Sequence, residues 1–398
     1  MKKFALLAML AAGCVSAQPL ELTPEQKVMA ATGNEFSFRF LQHIDGNEKG
    51  DWFVSPMSLQ FLMGVILNGA QGATTAEIAH TLGFEPSELG DLNDFYRVML
   101  TRLPQLDPAT KLTIDNAVFV NQLFPIDKKY QRLVEKNFDA EVKNLDFRDE
   151  KAALRNINGW CDKQTHGLIP AILDKVDPAM FAYLLNALYF KGAWMYPFSK
   201  NMTEERTFFL ESGQERKVKM MEKERKFAYG EDDLCQHVCL PYGDGSYAMF
   251  VLLPKEGHTV ADVVASLDGK KWNDIRSHMY SDDKVNLWLP RFETKYHIQL
   301  NDILMDMGMP GSFRKGADFS AMSPNADHLD FVQQDAIIKV DEEGSEAAAV
   351  TSAGMLGATA VPIQPRVINF HADHPFLYLI VERTTGSVLF AGKFTGKQ

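Results

Sequence analysis

Residues 341–365 read DEEGSEAAAVTSAGMLGATAVPIQP, and this stretch has an unusual composition. From Ser345 to Pro365 it contains one charged residue, Glu346, and consists mostly of Ala, Gly, Ser, Thr and Val. A solvated loop usually carries more charge, and a core helix carries larger apolar side chains at a spacing of 3.6 residues. The stretch fits neither description, so its role has to be inferred from the rest of the chain.

Side-chain periodicity favours a β-strand for the first part of this stretch. Alternate residues of a strand share one face. Counted from Ser345, that face carries only small or uncharged residues, namely Ser345, Ala347, Ala349, Thr351, Ala353 and Met355. Glu346 falls on the other face. A surface helix capped by Ser345 is the alternative, but Gly354 and Gly357 disfavour a helix of any length.

The overall composition is that of a soluble globular protein. The chain has 398 residues, of which 46% are hydrophobic and 23% are charged. We find no Pro/Ser-rich linker, low-complexity run or internal repeat, and therefore expect one domain over residues 18–398. A net charge of −11 without Lys/Arg clusters argues against nucleic acid as a partner.

The N-terminus, MKKFALLAMLAAGCVSAQ, has the pattern of a signal peptide over residues 1–17. Two cleavage sites compete. LAAGC at residues 10–14 resembles the lipobox of bacterial lipoproteins, which would make Cys14 the lipidated first residue, whereas cleavage after Ala17 would release an unlipidated chain. The protein is therefore expected to be exported, either anchored to the outer membrane through an N-terminal lipid or secreted or periplasmic.

The chain has three further cysteines, Cys161, Cys235 and Cys239. This odd number in an exported protein argues against a disulfide framework. In the strand-like sequence CQHVC, Cys235, His237 and Cys239 would share one face. The sequence shows no second ligand cluster to complete a metal site, so we predict buried structural thiols and neither a metal nor a cofactor.

The chain reads as a mixture of helices and strands. Thr23 and Pro24 predict the start of a helix that continues to about Ile44, and a second helix follows SPMS. Further helices are predicted over residues 151–165 and 296–307. Strands are predicted over residues 112–120, 183–190, 246–254, 284–290, 376–382 and 387–394. This irregular order predicts an α+β fold.

Motifs of enzymes occur only as fragments. GDGSYA at residues 243–248 precedes a strand-like run and not a helix, which argues against a dinucleotide site. SFRK at residues 312–315 lacks the accompanying motifs of serine acylases. We therefore do not expect an enzyme.

Seven stretches, in order along the chain, resemble the serpin family of serine protease inhibitors. They are FVSPMSLQFLMGVILNGAQGATTAEI (53–78), INGWCDKQTHGLIPAIL (157–173), LLNALYFKGAWMYPF (184–198), LPYGDGSYAMFVLLP (240–254), ADFSAM (317–322), DEEGSEAAAVT (341–351) and ADHPFLYLIVERTTGSVLFAGK (372–393). Together they cover nearly the whole chain after the signal peptide.

This resemblance implies three β-sheets, eight or nine helices and an exposed reactive-centre loop near the C-terminus. In the family, a protease cuts the loop, and the part before the cut inserts into the main sheet while the protease stays bound as an acyl enzyme. The implied function is suicide inhibition of a serine protease by a monomer. A non-inhibitory carrier or chaperone is the alternative.

Activation by heparin-type polyanions is not expected, because residues 76–95 are acidic.

The resemblance also assigns candidate site residues. Those of the loop hinge are Glu342, Glu343, Gly344, Ser345, Ala347, Ala348, Ala349 and Thr351. Those of the region where the main sheet opens are Ser55, Ser58, Asn186, Trp194 and Gln334. The family usually has His at the position of Gln334, and Gln can still form hydrogen bonds.

Two counts place the reactive bond. Seventeen positions from Glu342 put it between Ala358 and Thr359, whereas counting back from HPF moves it towards Val361 or Gln364. We prefer Ala358–Thr359, because the inserted length is fixed by the strand. A small Ala358 suits elastase-like or subtilisin-like proteases, and Leu356 or Met355 would suit a chymotrypsin-like protease.

Overall fold

The computed structural model describes residues 19–330, 332–345 and 366–397. The predicted signal peptide and Cys14 therefore lie outside the described residues. The same is true of the loop positions from 346 to 365, which include Ala347, Ala348, Ala349, Thr351 and the proposed reactive bond Ala358–Thr359.

The described part of the chain contains nine α-helices. They are α1 (Pro24–Asn47), α2 (Pro56–Leu67), α3 (Gly72–Leu82), α4 (Leu89–Arg102), α5 (Lys128–Phe138), α6 (Glu150–Gln164), α7 (Val260–Ser266), α8 (Gly269–Ser277) and α9 (Asn301–Asp306). The start of α1 follows from its sequence, because Thr23 and Gln26 form a reciprocal capping box around a proline in the first turn. None of these helices has both the length and the apolar character needed to cross a bilayer.

Sixteen strands of the described chain form three sheets. Their bounds are β1 (Trp52–Val54), β2 (Lys111–Asn121), β3 (Ala140–Leu145), β4 (Ala182–Ala193), β5 (Glu204–Phe209), β6 (Glu215–Arg225), β7 (Ala228–Glu231), β8 (Cys235–Pro241), β9 (Tyr247–Pro254), β10 (Lys284–Pro290), β11 (Phe292–Gln299), β12 (Gln333–Val340), β13 (Gly344–Ser345), β14 (Val367–His371), β15 (Phe376–Glu382) and β16 (Val388–Phe394).

We call the sheet with strand order β11-β12-β13-β4-β2-β3 the main sheet. The core sheet has the order β1-β16-β15-β9-β8-β7, and a four-stranded sheet has the order β14-β10-β6-β5. All residues of β9, β15 and β16 are buried, which explains their nearly continuous apolar sequences. The predicted α+β class with three sheets and eight or nine helices is confirmed.

One predicted helix is wrong at its start. The sequence from residue 296 to 307 was expected to be helical throughout, but residues 296–299 belong to β11 and only Asn301–Asp306 form α9. In β11, Phe292, Thr294 and Ile298 are buried while most of the residues between them are exposed. Pairing with β12 along the whole of β11 stabilises the strand, a contact that the local sequence does not reveal.

The two faces of the main sheet have different neighbours. On the outer face, Phe119 of β2 and Leu185 of β4 pack with Ile157 and Trp160 of α6 in a separate apolar cluster. The inner face meets the large central core, which includes α2 and the core sheet. In β4, Tyr183, Leu185 and Ala187 therefore face α6, whereas Leu184 and Phe190 face the central core.

Candidate functional site

The main sheet contains a very short strand between two long ones. β13 has two residues, and it lies between β12 and β4. Ser345 pairs with Val340 of β12 and with Gly192 of β4, and Gly344 pairs with Ala193. Both pairings are antiparallel, so β13 runs in the direction opposite to both β12 and β4.

Beyond β13, the space between β12 and β4 is not occupied by any strand of the described chain. β12 pairs with β11 on its far side from residue 333 to 340, and β4 pairs with β2 on its far side. On the facing edges, the described residues provide partners only at β13. A cavity of about 210 Å³ lies next to Ser345 and is lined by Phe190 of β4 and by Ile337 and Ile338 of β12, among others.

The side chain of Ser345 points to the inner face. Only 2% of this residue is exposed, and its hydroxyl forms a hydrogen bond of 2.7 Å with the Tyr242 hydroxyl. Gly344 has a φ of +150°, and a Cβ atom there would lie 2.1 Å from the carbonyl oxygen of Gly192. Because a side chain at position 344 would collide with β4, only glycine allows the chain to enter the sheet here.

Trp194 contacts the backbone just before β13. Its indole Nε1 donates a hydrogen bond of 2.9 Å to the carbonyl of Asp341, and its backbone N–H donates to the carbonyl of Glu343. The indole ring stacks on Tyr242 with a centroid distance of 4.4 Å. Trp194 therefore holds both the backbone before Ser345 and the tyrosine that binds the Ser345 hydroxyl.

Two carboxylates fix the segment before Gly344. The buried Glu342 accepts hydrogen bonds from the Thr203 hydroxyl and from the Arg291 guanidinium. Burial opposes ionisation of Glu342, but these two hydrogen bonds, together with its own backbone N–H and the charge of Arg291, leave its pKa below the ordinary value. Glu343 forms a partly exposed ion pair of 2.5 Å with Lys200 and raises the pKa of that lysine.

A network of polar side chains lies at the N-terminus of α2, beneath the main sheet. The Ser55 hydroxyl caps α2 by accepting a hydrogen bond from the Ser58 backbone and donates to the carbonyl of Leu389. Ser58 bonds to the Asn186 side chain on β4. Asn186 in turn donates 2.8 Å to Asn116 on β2. The network thus links α2 to two strands of the main sheet.

Gln334 connects β12 to the same network. Its amide oxygen accepts 2.8 Å from the Ser55 backbone N–H, and its amide nitrogen donates 3.0 Å to the Ser55 carbonyl. Gln334 is 8% exposed, so both bonds lie in a low-dielectric environment. The glutamine side chain satisfies both backbone groups of Ser55, which ties β12 to α2.

The structure brings the described candidate residues together in two places. Trp194, Glu342, Glu343, Gly344 and Ser345 lie at the top of the gap, and Ser55, Ser58, Asn186 and Gln334 lie farther along it on the inner face. The sequence analysis missed five residues whose side chains contact them, namely Asn116, Lys200, Thr203, Tyr242 and Arg291. No local pattern reveals these contacts, because each residue reaches the site from a distant part of the chain.

Comparisons with known proteins agree with this geometry. The family model described as "Serpin (serine protease inhibitor)" matches residues 31–396. Serpin B6 of Pongo abelii is 32% identical, and the match covers 92% of this chain and 99% of that protein. The native structure of the thermophilic serpin Tengpin is 27% identical, with a TM-score of 0.84 over 96% of this chain and 97% of that one.

A serpin that binds a small molecule is also similar. The complex of thyroxine-binding globulin with thyroxine is 25% identical, with a TM-score of 0.82 over 93% of this chain and 99% of that one. The family is thus one of protease inhibitors in general, and a protein of the same fold binds thyroxine. This chain belongs to the serpin family.

Proposed function

We propose that this protein inhibits serine proteases by a suicide mechanism, in which cleavage of the loop allows residues from about Ser345 to Ala358 to insert between β12 and β4. The open space after β13 is the observation that carries this proposal. Its two flanking edges already hold the first residue of the inserting strand, Ser345, in antiparallel pairing with both neighbours.

The register of β13 predicts where the inserted residues would lie. Each step forward from Ser345 corresponds to one step back from Gly192 on β4. Met355 would then pair with Ala182, the first residue of β4. The residues from Ser345 to Met355 would therefore fill the whole length of this edge, with the small alternate residues on the inner face.

The same count assigns a role to Thr351. On β12 it would pair with Gln334, and on β4 with Asn186. Both of these residues belong to the polar network beneath the sheet. A threonine hydroxyl on the inner face could bond with either side chain, so a polar residue is suited to this point of an otherwise apolar face.

The trapping step requires no catalytic group from the serpin. The protease serine Oγ attacks the Ala358 carbonyl, an ester bond forms, and the peptide bond breaks as the Thr359 amine leaves with a proton. Insertion of the cleaved loop then moves the ester, and the protease attached to it, away from the place where cleavage occurred. Hydrolysis of the ester needs an intact oxyanion hole and triad, which tolerate little displacement. Distortion of the protease active site would therefore leave the acyl enzyme in place.

Elastase-like or subtilisin-like proteases are the proposed targets. Ala358 is flanked by Gly357 and Leu356, and a shallow specificity pocket accepts such a small residue. Neither Arg nor Lys occurs between Glu346 and Arg366, which disfavours trypsin-like enzymes. Cleavage after Leu356 or Met355 would suit a chymotrypsin-like protease.

The direct test is to incubate the full chain with pancreatic elastase, subtilisin, chymotrypsin and trypsin, and to look for covalent complexes on a denaturing gel. We expect a complex with elastase or subtilisin and none with trypsin. The same proteases blocked at their active serine are the matched control and should form no complex. Cleavage without any complex across the panel would contradict inhibition and favour a non-inhibitory carrier or chaperone.

Mass spectrometry of the same samples locates the reactive bond. The C-terminal fragment released on complex formation with elastase should begin at Thr359. A fragment that begins at Ile363 or later would show that the count from Glu342 misplaces the bond and that the count from HPF is correct.

A further inference from the structure

Three potential metal ligands meet where β7 turns into β8 at the edge of the core sheet. They are the Asp232 carboxylate, the Cys235 thiol and a ring nitrogen of His237. One ligand atom from each of the three lies within 4.8 Å of the other two, and this is the only such group among the described residues. Cys235 and His237 share one face of β8, and Asp232 reaches them from the turn.

The turn itself positions the carboxylate. Asp232 Oδ1 accepts hydrogen bonds from the backbone N–H groups of Leu234 and Cys235, at 2.8 and 2.9 Å. The same Asp232 carboxylate carries an ion pair of 2.8 Å from its Oδ2 to Lys271 of α8. The sequence pattern identified Cys235 and His237 but not Asp232, because only the folded turn brings the Asp232 carboxylate close to them.

His237 is a buried side chain with an unused ligand atom. It is 2% exposed, and its Nδ1 has no hydrogen-bond partner. A neutral imidazole offers the lone pair of such a nitrogen to a metal ion. An unpartnered buried nitrogen costs free energy, and a metal–ligand bond would remove that cost.

Cys235 would contribute a thiolate. The residue is 1% exposed, and its thiol is not in a disulfide. A metal ion takes cysteine as the thiolate, so the thiol loses its proton as the ion binds. A thiolate and a carboxylate together would balance the charge of a divalent cation. Both Asp232 and Lys271 are partly exposed, at 24% and 28% of their side chains, which leaves an approach from solvent.

We propose that Asp232, Cys235 and His237 bind a divalent ion of the Zn²⁺ type, with Lys271 turning away from the carboxylate and water completing the coordination. Thiolate, imidazole and carboxylate are the three ligand types that Zn²⁺ takes in proteins, and three protein ligands leave one position open. The bound ion would replace the Lys271 ammonium as the cation next to Asp232. This site does not include any residue of the candidate functional site and is independent of protease trapping.

Co²⁺ is the probe for the test, because a cobalt–thiolate bond gives a charge-transfer absorption that reports coordination by sulfur. Every sample is the full chain with Cys14→Ser, so that this thiol does not contribute. We expect one equivalent of Co²⁺ to bind with the charge-transfer band, the release of about one proton and displacement of Co²⁺ by Zn²⁺. Cys235→Ser should abolish the band, and His237→Gln should weaken binding at least roughly tenfold.

Cys239→Ser is the matched control, because Cys239 is another buried thiol of β8 that is not part of the group. This variant should keep the cobalt spectrum. Lys271→Met should bind Co²⁺ roughly tenfold more tightly, since it removes a competing cation from Asp232. A second measurement, the shift of the unfolding midpoint with Zn²⁺, should follow the same order across the variants. Cobalt binding without a thiolate band, an unchanged band in Cys235→Ser, or no saturable binding would overturn the proposal.

Discussion

The two edges of β4 differ sharply in how they are paired. On one edge, β4 pairs with β2 without interruption from Lys191 opposite Lys111 to Ala182 opposite Val120. On the other edge, the described chain offers only Gly344 and Ser345 as partners, opposite Ala193 and Gly192. The same strand is thus complete on one side and open on the other. A strand with one open edge, next to a second such strand, is a place where further chain can be added.

The first prediction compares the native protein with the loop-cleaved protein, in which the open edge would be filled. About ten new backbone hydrogen bonds on each side, at roughly 1 kcal/mol each, amount to a stabilisation on the order of 20 kcal/mol. For a chain of this size, that corresponds to an unfolding midpoint roughly 20 °C higher or more. Differential scanning calorimetry of native and cleaved samples measures it. Equal midpoints would rule out insertion.

The second prediction tests which face of the inserted strand is buried. Ser345→Arg and Ala347→Arg should abolish protease trapping and leave a substrate, because an unpaired guanidinium would be forced beneath the sheet. The number of inhibitor molecules consumed per protease inactivated should rise at least about tenfold. Ser345 already lies in the native sheet, so Ala347→Arg separates insertion from native stability.

Glu346→Arg is the control for this pair. Position 346 would face outward beside the exposed Lys339, so trapping should persist. If Ala347→Arg and Glu346→Arg trap protease equally well, the assignment of faces is incorrect.

The third prediction concerns the bond between β12 and α2. Gln334→Ala should lower the free energy of unfolding of the native protein by roughly 2 to 3 kcal/mol. It leaves the buried N–H of Ser55 without a partner and removes one of the two hydrogen bonds to the Ser55 carbonyl, which also accepts from Leu59. Lys339→Ala, an exposed position on the same strand, should change it by less than about 0.5 kcal/mol. Urea unfolding of both variants provides the measurement. Similar losses of unfolding free energy in the two variants would show that the hydrogen bonds of Gln334 do not stabilise the contact between β12 and α2.

The fourth prediction tests the carboxylate at the open edge. The pKa of Glu342 is lowered in the folded protein, so its ionised form contributes stability that is present above its ordinary value of 4.5 and is lost as the pH falls through the folded value. Glu342→Gln should therefore cost roughly 1 to 2 kcal/mol at pH 7. The difference from the unsubstituted protein should shrink as the pH falls below about 4.5. A difference that does not depend on pH would contradict this account.

The fifth prediction tests a carboxylate on the paired side of the sheet. Asp115 of β2 has a buried Oδ2 without a partner, and burial, followed by repulsion from Asp139, raises its pKa from 3.8 to about 6. Its contribution to stability is therefore complete below pH 3.8 and is lost as the pH rises through 6. Asp115→Asn should stabilise the protein by roughly 1 kcal/mol at pH 8 and leave it unchanged near pH 4. Stabilisation of equal size at both pH values would point to a cause other than titration.

The sequence predicted most strands correctly because their own residues carry the signal. Residues 284–290 and 376–382 were predicted with the bounds that the structure gives. The prediction of a helix from residue 296 was wrong at its start, where the structure has the end of β11. This strand forms because it pairs with β12, which the local sequence does not show. In the candidate site, family resemblance identified Ser345 and Gln334. It did not identify the contact of Tyr242 with the Ser345 hydroxyl, which joins residues 103 apart in sequence. Contacts of this kind have no local periodicity, so they become visible only after folding.

The small strand β13 has a kinetic consequence. Adding a strand to a sheet normally requires a slow nucleation step, because the chain must first find the correct alignment among several that differ by one residue. Here the Tyr242 hydroxyl and the close contact at Gly344 select that alignment before any bond is cut. Insertion would then proceed as propagation from a formed nucleus. On the proposed mechanism, faster insertion would favour trapping of the protease over hydrolysis of the acyl enzyme.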